Sequence, residues 1–135
     1  MLCMVSIHST SRAQTTIAVV SDPHVMASGL LESGADTQSA WTSYYAGQRK
    51  MLPESAGLFT QFVEAVKSNA DIVLVTGDLT KDGEEASHEF VRTKLATLTA
   101  AGKKVFVIPV NHDLGEEGNH TKFKADGTTE NAPTT

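Results

Sequence analysis

The sequence predicts an α/β fold, a β-α-β-α-β parallel sheet, and three observations lead there. Three short runs, Ile17-Ala-Val-Val, Ile72-Val-Leu-Val and Val105-Phe-Val-Ile, are apolar and mostly β-branched without a break. Continuous rather than alternating runs are the pattern of strands covered on both faces, as in parallel sheets. The two intervals between the runs carry apolar residues at helical spacing, and strands joined by helical crossovers run parallel and bring their carboxyl ends to one edge. Each run also stops at residues that carry chemistry: Asp22-Pro-His24, Gly77-Asp78 and Asn111-His112-Asp113. Ligands of open α/β sheets bind at that edge, so Asp22, His24, Asp78, Asn111, His112 and Asp113 are the candidate site residues.

Taken in order, the first strand is expected over Thr15 to Ser21. Pro23 lacks an N–H and cannot continue a central strand, so Asp22 and His24 fall on the loop leaving it. Val25 to Leu52 is a long connection punctuated by Gly and Ser, with a helical stretch expected from Thr37 to Arg49. Its Trp41, Tyr44 and Tyr45 either anchor the connection to the core or line one wall of a cleft. Pro53 to Asn69 is the first strong helix: Pro53 suits the first turn, Glu54 faces the positive end of the dipole, and Leu58, Phe59, Phe62, Val63 and Val66 form an apolar stripe read as core. The second strand is expected over Asp71 to Thr76. Asp82-Gly-Glu-Glu85 resembles a capping box for a helix from Glu84 to Ala101, with Val91, Leu95 and Leu98 as its stripe and Gly102 as its stop. The third strand follows, from Val105 to Pro109. Beyond Asp113 the pattern dissolves, and the stretch to Thr135 reads as loop or disordered tail with Phe123 its only bulky apolar residue.

The expected organisation is a leader or disordered N-terminus over 1–14, a partial α/β domain over 15–113 and a tail over 114–135. With 135 residues the chain has the size of about one domain and can bury an ordinary core. A net charge of −5 argues against nucleic acid as a default partner, and no apolar run approaches the ~20 residues of a membrane span. An acidic chain that is to hold a phosphate must find cations locally. Cys3 is the sole cysteine, so no internal disulfide can form. Ser11-Arg12-Ala13 puts small residues where cleavage after Ala13 would need them, which leans toward export, although the basic leader segment is absent and the apolar one short.

Asp22-x-His24, Gly77-Asp78 and Asn111-His112-Asp113, each closing a strand in this order, resemble the first three signature blocks of the calcineurin-like metallophosphoesterase superfamily. Three blocks in register over Ile17 to Asp113 are far more specific than any one of them. The resemblance implies hydrolysis of phosphoester bonds by a dinuclear metal centre with a shared bridging hydroxide. Two ions ~3.5–4 Å apart acidify a shared water and clamp the phosphate for in-line attack. It implies Asp22, His24 and Asp78 as ligands of the first ion, and Asp78 with Asn111 as ligands of the second. It further implies His112 and Asp113 as catalytic residues, with His112 beside the phosphate and Asp113 orienting it. The ions are divalent or trivalent Mn, Fe, Zn or Ni, which mixed nitrogen and oxygen donors accept without choosing among them. The partner is a phosphoester substrate.

Two departures stand out. The family pattern has Gly where this chain has Val110, and a β-branched residue would be strained if that turn required a positive φ. Further histidine ligands that the superfamily supplies downstream do not follow Asp113, His120 lying too early to be equated with them, so the second metal site is expected to be incomplete and the chain to be a truncated form, the N-terminal half of the family's α/β sandwich. The competing reading is a non-catalytic or degenerate α/β module that binds at most one metal. In either case an incomplete sheet leaves apolar edges uncovered, and self-association is expected.

Overall fold

The computed structural model describes residues 14–115 and 120–134. The expected leader, with its cleavage after Ala13, lies outside the described residues. The fold class holds. β1 (Ile17–Val20), β2 (Ile72–Val75) and β3 (Lys104–Val107) form one parallel sheet in the order β1-β2-β3. Ala18 is level with Val73 and Val105, and Val20 with Val75 and Val107. Each strand is four residues long, shorter than its expected span because the ends of those spans turn into the loops that carry the site.

α2 (Leu52–Asn69) and α3 (Glu85–Ala100) cross over between these strands. Pro53 stands in the first turn of α2, where its missing N–H costs nothing. Phe59, Val63 and Val66 of α2 and Val91, Leu95 and Leu98 of α3 share one core with Val73 and Val75, with Ala18, Val20 and Val105 packed at its margin. The sheet residues in that list alternate along the strands, so the two helices cover a single face. The opposite set, Ile17 and Val19 with Phe106, is exposed, Val19 by 61% and Phe106 by 57%. Continuous apolar runs had implied burial on both faces. Among the described residues, the second face has no layer on it.

The connection after β1 holds α1 (Ser39–Ala46), inside the expected helical stretch, and a second core. Trp41 stacks on Tyr45 with ring centroids 5.2 Å apart and meets Phe123 edge-on at 5.0 Å. These aromatics are therefore anchors. Phe123 belongs to β4 (Thr121–Phe123), which pairs antiparallel with β5 (Thr129–Asn131), so the stretch that read as a loop-like or disordered tail contains a hairpin. Its turn is Asp126-Gly127, with Gly127 at φ 85° and Thr128 N–H donating to Asp126 Oδ1 at 2.9 Å. The strands were missed because they are three residues long and polar except for Phe123. The Asp-Gly pair was the available signal. Pro133 O then accepts the Glu85 N–H at 2.8 Å and serves the start of α3.

Leu58 corrects the expected stripe of α2. Phe59 and Val63 are buried, whereas Leu58 is 52% exposed on the flank of the helix. Leu98→Ala should therefore cost about 2–5 kcal/mol in urea denaturation, the range for a fully buried leucine, and Leu58→Ala should stay within about 0.5 kcal/mol. Equal losses would contradict this placement of α2.

Candidate metal centre

The loops leaving β1 and β2 do not diverge at the sheet edge. Asp22 N–H donates to Gly77 O at 3.1 Å, His24 N–H to Asp78 O at 2.8 Å and Val25 N–H to Leu79 O at 2.8 Å. This pairing twists the backbone. Asp22, His24 and Asp78 are the non-glycine residues with positive φ among those described, at 53°, 39° and 48°. Such conformations cost of order 1–3 kcal/mol each and collect where a site over-determines the backbone. Gly77, at φ 99°, permits the close approach of the third loop: a Cβ there would sit 2.7 Å from Val110 Cγ2.

The side chains of His24, Asp78 and His112, one from each loop, bring ligand atoms within 4.8 Å of one another. His24 Nε2 is 3.6 Å from Asp78 Oδ2. Its Nδ1 edge faces Thr80 O at 3.4 Å, so an Nδ1–H tautomer leaves the Nε2 lone pair turned toward the carboxylate. Burial, then the nearby Lys50 ammonium, lowers the pKa of His24 against the opposing pull of Asp78. The neutral imidazole thus favoured is the form that ligates metals. The two imidazole rings stand perpendicular with centroids 4.9 Å apart. Two imidazoles and one carboxylate, with a free nitrogen lone pair, fit a first-row transition ion.

Behind His112 lies a buried chain of charges. His112 Nδ1 is 2.9 Å from Asp82 Oδ1, Asp82 Oδ2 is 2.7 Å from Lys81 Nζ, and Lys81 Nζ is 2.7 Å from Glu84 Oε1. Lys81 and Glu84 are fully buried. Burial alone would depress the Lys81 ammonium, but Glu84 and Asp82 outweigh it and hold the pKa above its ordinary value. Burial also raises the pKa of Tyr44, whose hydroxyl points at Asp82 Oδ2 from 3.5 Å. On the opposite side of His112, Lys50 Nζ stands 3.4 Å from Nε2.

The family model for calcineurin-like phosphoesterases matches residues 15–133. The chain belongs to this family. No curated protein matches it. Membership points to metal-dependent hydrolysis of a phosphoester substrate, and the His24, Asp78 and His112 group is a fitting ligand set. The matched stretch runs well past Asp113, so the β4–β5 hairpin lies inside the family region rather than in a tail.

In this member of the calcineurin-like phosphoesterase family, the remaining expected site residues are distributed unevenly. Asp22 borders the same cleft as His24 but lies outside the close group of three. Asn111 opens the single 3₁₀ turn Asn111–Leu114 immediately before His112 and is exposed. Asp113 does not touch the His112 ring. Its carboxylate accepts from Thr80 N–H at 3.0 Å, Thr80 Oγ1 at 3.2 Å and Val110 N–H at 3.0 Å, and so ties the third loop to the second. Asp82 occupies the orienting position expected of Asp113, and it does not cap α3, whose N-cap residue is Glu84. Val110 is extended, at φ −135°, so the expected strain is absent. Lys50, Lys81 and Asp82 were missed because their roles depend on pairing across loops. A lysine beside an aspartate in Thr80-Lys81-Asp82 gives no periodic signal that separates it from a solvated turn.

Removing the cation from the buried chain leaves two carboxylates without compensation. Lys81→Ala should destabilise the fold by about 3–5 kcal/mol, the usual cost of breaking a buried pair on one side. Guanidinium denaturation at neutral pH measures it, and a loss near that of an ordinary surface lysine would show that the chain is hydrated.

Proposed function

We propose that this chain is the part of a dinuclear phosphoesterase centre in which Asp22, His24 and Asp78 hold one ion and Asp78 with Asn111 contributes to a second. The observation that supports it is the convergence of one donor from each of the three loops, in a chain of this family. When bound, such ions acidify a water and neutralise charge on the phosphoryl oxygens. Mn, Fe, Zn and Ni all suit the donor types.

The protein's own groups do the rest. With Nδ1 engaged by Asp82, the proton that His112 can exchange with a substrate is at Nε2, the ring edge facing Lys50. An imidazolium there can protonate the departing oxygen, and general acid catalysis of this kind is worth typically ~10²–10⁴-fold. Lys50 supplies the local cation that an acidic chain needs beside a phosphoryl group. Asp82, held in turn by Lys81, fixes the tautomer and aim of His112.

A second reading is favoured by the same close group. If His24, Asp78 and His112 are themselves the ligands of a single ion, the chain is a non-catalytic module, and His112 is a ligand rather than an acid. Calorimetric titration with Mn²⁺ separates the two. On the dinuclear reading Asp78→Asn weakens binding by at least the ~10–100-fold that loss of an outer partner costs. His112→Ala leaves affinity nearly intact but lowers hydrolysis of a chromogenic phosphoester. Loss of metal affinity in His112→Ala would establish the single-ion module. Unchanged affinity in Asp78→Asn would sink both.

The sheet face left uncovered among the described residues supports self-association. Val19, Phe106 and Ile108 are all more than half exposed, and apolar surfaces of this kind mark contact sites. Light scattering of the chain should give a mass above that of a monomer, and Phe106→Lys should shift it toward monomer. A monodisperse parent monomer would contradict the proposal.

A further inference from the structure

A cleft of about 420 Å³ runs from the metal centre along α2. Asp22 and His24 line it together with a mostly carbon wall that includes Met51, Leu58 and Phe62. Met51 and Leu58 are 60% and 52% exposed, although each could have been polar without disturbing the core. Arg49 and Lys50 line the same cleft, and Lys50 Nζ also reaches His112 Nε2 at 3.4 Å. Two cations therefore share one cleft with residues of the metal centre and an apolar wall. The volume lies within the ~300–1,000 Å³ of small-molecule sites.

We infer that the substrate is a phosphoester of an apolar, ring-bearing alcohol. Its phosphoryl group sits at Lys50 and the metal centre, and its organic group lies along Leu58 and Phe62. This deepens the phosphoesterase reading and rests on it. The charge pattern selects the orientation, since the anion has cations at one end only. The carbon walls select the alcohol, because a polyol would lose hydrogen bonds to water there without replacement, whereas an aryl group gains from the burial of apolar surface. Phe62, partly buried against Phe59 with ring centroids 6.0 Å apart, offers aromatic surface to such a group.

The test uses two phosphonates, whose carbon–phosphorus bond resists hydrolysis and which carry the same anion. Binding of phenylphosphonate and of methylphosphonate to the Mn²⁺-loaded chain is measured by calorimetry, with thermal unfolding checking each variant. Phenylphosphonate should bind about tenfold or more tightly. Leu58→Asn, at a half-exposed position, should remove most of that preference, read as the ratio of the two affinities, and Lys50→Gln should weaken both. Equal binding of the two ligands would overturn the apolar substrate class and leave the phosphoesterase reading standing. A preference untouched by Leu58→Asn would overturn the cleft as its source. Failure of both ligands to bind would overturn the phosphoesterase reading, and this inference with it.

Discussion

The pairing of β1 with β2 does not stop where the sheet does. His24 N–H to Asp78 O and Val25 N–H to Leu79 O, both 2.8 Å, continue it into the two loops, and Lys81 N–H to Val25 O at 2.9 Å closes the series. A loop that merely left the sheet could relax to a negative φ. One that must keep pairing while turning across the edge cannot, and so Asp22, His24 and Asp78 are driven into the left-handed region. The hydrogen bonds that force this conformation also offset its cost. In return the side chains of His24 and Asp78 face each other rather than solvent. Gly77 completes the arrangement by admitting Val110, which sets the third loop against the second and brings His112 in.

The third loop is then secured by polar groups. Asp113 binds Thr80 N–H, Thr80 Oγ1 and Val110 N–H, while Asp82 binds the His112 ring. Two adjacent residues, His112 and Asp113, are thus gripped from one short segment of the second loop, one through its ring and one through its carboxylate. Buried carboxylates of this kind are costly unless fully paired. Lys81 meets that requirement for Asp82 and Glu84 at once, from a position fully removed from water. A single buried ammonium therefore connects the start of α3 to the aim of the candidate catalytic imidazole.

Much of the framework was legible because it depends on local pattern. The three strands follow from uninterrupted β-branched runs, the helices from spacing, and the gathering of the loops from parallel topology alone. What was not legible depends on partners distant in sequence. Asp82 looked like a helix cap because Asp82-Gly-Glu-Glu85 fits that pattern, and its use as the partner of His112 is visible only once two loops meet. Val110 looked strained because the family has a glycine there, yet an extended backbone accommodates it and the positive φ falls on Gly77. The hairpin around Phe123 was lost for a third reason. Strands of three residues with one apolar side chain carry too little periodicity, and the contacts that hold them, the Phe123 ring on Trp41 and Tyr44 and Lys122 on Glu32, are distant in sequence.

Net charge proved a poor guide to what a ligand would meet. The chain carries −5, but at physiological ionic strength exposed charges are screened over ~8 Å, so a phosphoryl group responds to its immediate surroundings rather than to the total. Much of the acidic surface is already answered: Glu89 pairs with Arg92, and Glu32 and Glu130 with Lys122. Asp82 and Glu84 share the one buried ammonium of Lys81. What faces the cleft beside His24 is Arg49 and Lys50 against the single carboxylate of Asp22. An acidic protein can therefore offer cations to an anion wherever its carboxylates are paired off elsewhere, and on the proposed reading two consecutive basic residues just ahead of α2 do so here.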